Sequence, residues 1–194
     1  MSKTTITLPS FGLTDPGKDQ SIMWDDSASA LTVAGQDPTP DVDQWRLTTN
    51  FTASDTNANN ITSNLERVDT GGQGKIGTGM TESSGKFTFP TTGFYLVRAF
   101  AEFELNGDSR YNVIGIRLTT DNSTYNGVAT GNVFIQQTAS AATANHAIAE
   151  TLVDCTNTTN VNIYFYTQIA NNATVNGSSS TSKTYFTFQR LGDT

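Results

Sequence analysis

One cysteine and one histidine are all that this 194-residue sequence offers of the residues that most often bind metals or act as nucleophile and base. With Cys155 alone, no internal disulfide can form. Cys155 ends an apolar run (148–153) and reads as a small buried hydrophobe. With His146 alone, a histidine-cluster metal site is excluded, and a Ser-His-Asp triad would depend on that one residue. His146 follows a polar loop and opens a strand pattern, so it reads as a strand-edge polar residue. Basic residues are also few. Eleven Lys and Arg stand against eighteen Asp and Glu, for a net charge of −7. That balance argues against nucleic acid and anionic membrane surfaces as partners, and it suits an acidic, soluble surface. No run approaches the ~18 apolar residues a membrane helix needs. The first residues carry no apolar signal core, so the reading is no membrane insertion and synthesis in a cytoplasm.

Other chemical signals are equally thin. Gly71-Gly72-Gln73-Gly74 lacks the Lys-Ser/Thr of a phosphate loop and reads as a turn. Asp25/Asp26, Asp41/Asp43 and Glu102/Glu104 are acidic pairs, read as solvated faces rather than paired catalytic carboxylates. Asp108 and Asp121 sit in turns, but without the ligand spacing of a calcium loop. No catalytic residue, metal or cofactor is expected.

What the chain does have is Thr, Ser, Asn and Gly, with eleven Phe and six Tyr. Thr suits strands, Asn and Gly suit turns, and the aromatics supply a core. Strand patterns recur every 10–15 residues, bounded by turn signals, with no amphipathic helix. The clearest stretch is Gly85 to Val97. Phe87 and Phe89 alternate with polar residues, Pro90 ends that strand, and Thr91-Thr92-Gly93 reverses the chain into a strand from Phe94 to Glu104. The expectation is a hairpin around which the rest packs. Asn106-Gly107-Asp108 predicts a second hairpin through a type I′ turn. Further strands are expected at 61–68, 76–80, 111–118, 133–137, 146–155, 161–166 and 185–191, and a long polar loop at 171–182. On the strand at 161–166, Tyr164 and Tyr166 oppose Phe165, so both faces call for burial.

Residues 1–40 differ. Four of the five prolines (Pro9, Pro16, Pro38, Pro40) lie there and interrupt each short apolar run. An extended N-terminal arm is expected over 1–40. Ile6, Leu8, Phe11, Ile22 and Trp24 are its candidate anchoring residues, packed on the domain or docked on another body.

The spacing Phe87, Gly93, Tyr95, Val97, within Ser84 to Tyr95, resembles the signature of C1q/TNF-like jelly rolls. The closing Tyr185-Phe186-Thr187-Phe188-Gln189-Arg190-Leu191-Gly192 is similar to that family's last strand. The resemblance covers roughly residues 43–192. The chain departs from it at Lys75, Met80 and Phe188, which marks a remote relative. The resemblance implies an all-β fold, a ten-strand C1q/TNF-like jelly-roll sandwich over 41–194, assembled as a homotrimer. Phe94, Tyr95, Tyr164, Phe186 and Phe188 are its candidate trimer-interface residues, each equally suited to the core of one protomer.

These readings converge on a non-enzymatic structural protein of a virus particle. The expected form is a bacteriophage capsid decoration protein or short appendage on the virion surface. Its expected partners are itself and a major capsid protein or tail component. The alternative is the tip module of a phage fibre, binding a host-surface glycan or protein through loops 119–131 and 171–182.

Overall fold

The computed structural model describes residues 21–25, 30–34, 40–52 and 57–194. They fall into two units, divided between Thr39 and Pro40. In the first, strands β1 (Ser21–Asp25) and β2 (Ala30–Ala34) form an antiparallel ribbon. The four-residue gap between them lets the two runs pair with each other within the stretch expected as an extended arm. Ile22 stands opposite Val33 and Trp24 opposite Leu31. Ile6, Leu8 and Phe11 lie outside the described residues.

The second unit is two packed antiparallel sheets. Ten strands of three or more residues carry it: β3 (Val42–Leu47), β6 (Leu65–Arg67), β7 (Thr81–Ser83), β8 (Lys86–Thr88), β9 (Gly93–Leu105), β10 (Ser109–Thr119), β11 (Asn126–Ile135), β12 (Thr143–Cys155), β13 (Asn162–Ile169) and β15 (Tyr185–Gly192). Three two-residue ladders join them: β4 (Phe51–Thr52), β5 (Asn59–Asn60) and β14 (Thr174–Val175). One sheet contains β12, β9, β15, β3 and β6, with β14 and β4 beside the far end of β9. The other runs β11, β10, β13, β8, β7, with β5 on β13. Apart from β10 and β11, which pair with each other, successive long strands change sheet, so the chain winds around one core.

That winding corrects the hairpin expected at Gly85–Val97. β8 pairs with β7 and β13, whereas β9 pairs with β12, β14 and β15. The turn Pro90–Thr92 is therefore an arch from one sheet to the other. The side-chain alternation was read correctly, because an arch also turns Phe87, Phe89, Tyr95 and Val97 into a common interior. Gly93 makes the arch possible. Its φ is +141°, and a Cβ there would lie 2.4 Å from the carbonyl oxygen of Gly192. The Asn106–Asp108 turn is likewise a crossing, since β9 and β10 share no ladder. A type I′ turn needs positive φ at both central residues, and of Asn106 and Gly107 only Gly107 has it.

The core is aromatic. Phe165 and Phe186, from opposite sheets, stack at 3.9 Å and 7°. Phe87 meets Trp45, Phe165, Phe186 and Phe188 at centroid distances of 5.1–6.1 Å. Phe89 lies 4.6 Å from Tyr95, whose hydroxyl donates to the Thr91 carbonyl at 3.0 Å. Burial pushes that phenol's pKa above its ordinary value.

Several local expectations fall to the same packing. At 61–68 only Leu65–Arg67 is strand, because Asn64 turns the chain with φ +59°. At 76–80 there is only a bridge between Ile76 and Val42, because Gly77 and Gly79 both take positive φ. Asp41 and Asp43 are not a solvated pair; they hold this glycine-rich segment against the sheet. Asp41 accepts from the Thr78 and Gly79 amides, and Asp43 from the Met80 amide (2.8 Å), Trp45 Nε1 (2.9 Å) and Arg67 Nε (3.0 Å). Segment 171–182 is not a free loop either. Ala173, Val175 and Asn176 are buried, and the Ser178 amide donates to the Leu47 carbonyl.

Candidate self-association face

β9 and β12 pair along thirteen residues, from Thr143↔Leu105 to Cys155↔Gly93. Their inward positions are small or fill the core: Ala99, Ala101, Ala147, Ala149 and Val153. Their outward positions hold the larger side chains. In register across the sheet, Ile148, Phe100, Tyr185 and Arg46 form one row. Glu150, Arg98, Thr187 and Gln44 form the next. Leu152, Leu96, Gln189 and Val42 form the third. Phe94 and Asp154 close the face at one end, His146 and Glu102 at the other.

This is an apolar surface turned to water. Phe94 is 41% exposed, Ile148 53% and Leu152 64%. Phe100 stacks on Tyr185 at 5.0 Å and 18°, and lies 5.1 Å from the His146 ring. Single exposed apolar residues are ordinary, but a contiguous set on one sheet face marks an interaction site. The neighbouring edge carries a second set. On β11, Phe134 is 61% exposed and Val128 44%. β11 and β12 approach closely where the two sheets meet. A Cβ on Gly131 would lie 2.0 Å from the Ile148 carbonyl oxygen, and Asn145 Nδ2 donates to the Phe134 carbonyl at 3.0 Å.

The central charges on the face are paired. Arg98 Nε donates to Glu150 Oε2 at 2.7 Å. Glu102 and Glu104 both accept from Asn176 Nδ2, at 2.8 and 3.0 Å, and Lys183 Nζ lies 3.4 Å from Glu102 Oε1. They form a tied polar cluster, half-buried rather than solvated.

Of the five residues singled out for the interface, the structure places only Phe94 on this face. Tyr95, Phe186 and Phe188 are at most 1% exposed within a single protomer, so no surface of theirs remains for a partner. Tyr164 lies on the other sheet, its ring 4.8 Å from that of Tyr125. The burial demanded by the second face of β13 is met inside the protomer. Arg117 stacks on Tyr166 at 4.6 Å, and Tyr166 crosses the bare backbone of Gly115. Ile148, Leu152, Phe100 and Tyr185 were missed. For Ile148 and Leu152 the signal was present in the strand at 146–155, where both lie on the face opposite Ala147, Ala149 and Val153.

The turns offer no site chemistry. Asp121 accepts from the Thr124 and Ser123 amides and from Thr119 Oγ1. These bonds hold its carboxyl pKa well below the usual range. Asp108 accepts from the Gln137 amide. Burial pushes the Cys155 thiol up to about 11, the behaviour of an inert core residue. Among the described residues, no group of three or more His, Cys, Asp or Glu side chains is placed to hold a metal ion.

Comparison with solved structures gives the fold. Murine APRIL superposes with a TM-score of 0.53 at 14% identity, over 78% of this chain and 99% of that one. Eiger TNF from S. frugiperda superposes with a TM-score of 0.58 at 12% identity, over 80% of this chain and 95% of that one. The fold is a TNF-like jelly roll. No protein-family model matches the sequence, and no curated protein matches it. At these identities the likeness is one of architecture: an all-β sandwich of two antiparallel sheets.

Proposed function

We propose that the chain is a non-enzymatic structural module that self-associates as a homotrimer through the outer face of its larger sheet. The observation that carries this is the apolar surface on which Phe94, Ile148 and Leu152 are exposed and Leu96, Phe100 and Tyr185 half-buried, on a protomer whose core is already complete. A second copy of the same chain suits it for two reasons. The two charges at its centre pair with each other, so the middle of the face presents no lone charge to a neighbouring copy, although the chain carries −7 overall. There are also two distinct apolar patches, the face and the β11 edge with Phe134. A closed ring built from one kind of contact needs two such patches. Three copies is the number implied by the C1q/TNF-like resemblance.

The finer reading is a bacteriophage capsid decoration protein or short appendage. Its support is compositional: no disulfide framework, a chain rich in Thr, Asn and Gly, and a stretch before residue 41 built differently from the sandwich. On this reading the trimer faces outward from a capsid or tail component and residues 1–40 anchor it. The ribbon β1–β2 pairs Ile22 with Val33 and Trp24 with Leu31. The fibre-tip alternative has less support, because 171–182 and 119–131 are tied into the sheets rather than free to engage a ligand.

The test is the double variant I148E/L152E. It should sediment as a monomer with its thermal unfolding retained. A variant that still assembles would rule out this face. For the finer reading, deletion of residues 1–40 should abolish incorporation into particles and leave the trimer intact; retained incorporation would sink the anchor.

A further inference from the structure

The centre of the apolar face holds one cross-strand ion pair. Arg98 Nε donates to Glu150 Oε2 at 2.7 Å, and Nη2 reaches the same oxygen. The side chains are 49% and 42% exposed in a single protomer. A pair this open to solvent contributes little to the protomer's own stability. Its position is the unusual feature. The row on one side is Ile148, Phe100 and Tyr185, and the row on the other is Leu152 and Leu96. Whatever covers those rows must also cover the pair, and both charges then leave water together.

We propose that Arg98–Glu150 is a polar lock in the self-association face: it permits assembly while Glu150 is ionised and releases the protomers when Glu150 takes up a proton. This rests on the self-association reading above. The physical reason is an asymmetry. A covered ion pair roughly breaks even while both partners are charged, but loss of one charge strands the other in a dry interface. In the free protomer, a protonated Glu150 costs little, because water hydrates Arg98. Once assembled, that hydration is gone. Assembly therefore favours the ionised carboxylate, and association weakens when that charge is lost.

The other charged groups on the face lie towards its ends. His146 stands opposite Glu102, and Lys183 pairs with Glu102. Glu104 is held by Asn176, Asp154 stands opposite Phe94, and Arg46 pairs with Glu66. β11, which packs against β12, carries no titratable residue. The Arg98–Glu150 pair alone has apolar rows on both sides.

Sedimentation equilibrium between pH 7 and pH 4 tests the lock in the full chain, with near-UV circular dichroism confirming that each variant is folded. E150Q keeps the shape and removes the charge. It should associate at least about 100-fold more weakly than wild type at pH 7. R98M/E150L should associate at least as tightly as wild type and lose the acid response. The reversed pair R98E/E150R should recover to within about tenfold of wild type. E150Q assembling within about threefold of wild type would overturn the lock, as would an acid response that persists unchanged in R98M/E150L. A wild-type chain that is monomeric at every concentration would instead overturn the self-association reading, and the lock with it.

Discussion

Phe87→Ala is the substitution the fold should tolerate least. Phe87 is fully buried on a three-residue strand that the arch joins to β9. Its ring touches Trp45 and Phe188 at 5.6 and 5.1 Å, and Phe165 and Phe186 at 5.4 and 6.1 Å. Removing it takes one buried ring from the core and leaves a cavity walled by four others, which relax poorly because they also pack on one another. Truncations of this kind cost about 3–5 kcal/mol. A single domain has a total stability of about 5–15 kcal/mol, so the loss is a large fraction of it. In urea, with a slope of roughly 2 kcal/mol per molar, the unfolding midpoint should fall by about 2 M. Protein concentration must be held fixed, since association adds to apparent stability. Phe134→Ala, on an exposed ring, is the control and should shift protomer stability by less than about 0.5 kcal/mol. A Phe87→Ala loss below about 1 kcal/mol would refute the claim that this ring ties the two sheets together.

Three further outcomes follow from local geometry. Gly131→Ala should destabilise by about 1–3 kcal/mol in thermal unfolding, because its Cβ would enter the Ile148 carbonyl and force the β11 and β12 edges apart; a neutral result would mean the edges separate freely. Asp43→Asn should cost about 2–4 kcal/mol, because one carboxylate satisfies the Met80 amide, Trp45 Nε1 and Arg67 together; stability equal to wild type would contradict that clamp. Cys155 should resist alkylation at pH 8 in the native state and react at once in denaturant. Folding raises its thiol pKa, so its contribution to stability is present below the unfolded value of about 8.5 and is lost as pH rises towards 11. Rapid labelling of the folded chain would show that the site opens.

The inward alternation on β8, β9, β12, β13 and β15 was legible, because a period of two is a property of the strand alone. Pairing was less so. A hairpin and an arch both need a chain reversal flanked by alternating residues, and Phe87–Pro90–Gly93 meets that description either way. What separates them is the position of Gly93 under the last strand, a contact between residues 99 apart. The ladders β4, β5 and β14 have two residues each and carry no periodic signal. The candidate face was half legible. Aromatic residues drew attention first, and Tyr95, Phe186 and Phe188 turned out to be core, because the sandwich needs rings to fill the space between its sheets. Ile148 and Leu152 were in plain view, but only the register with Phe100 and Leu96 shows that they form one surface. The roles of Asp41 and Asp43 depend on amides some 37 residues away, which no local pattern reveals.

On the proposed assembly, other copies of this chain cover the outer face of the larger sheet. Multi-angle light scattering on the purified chain tests it most directly. A homotrimer should give a mass of about 62 kDa, three times the 20.8 kDa of one chain, and I148E/L152E should collapse to a single-chain mass. A wild-type mass of about 21 kDa across the accessible concentration range would contradict it.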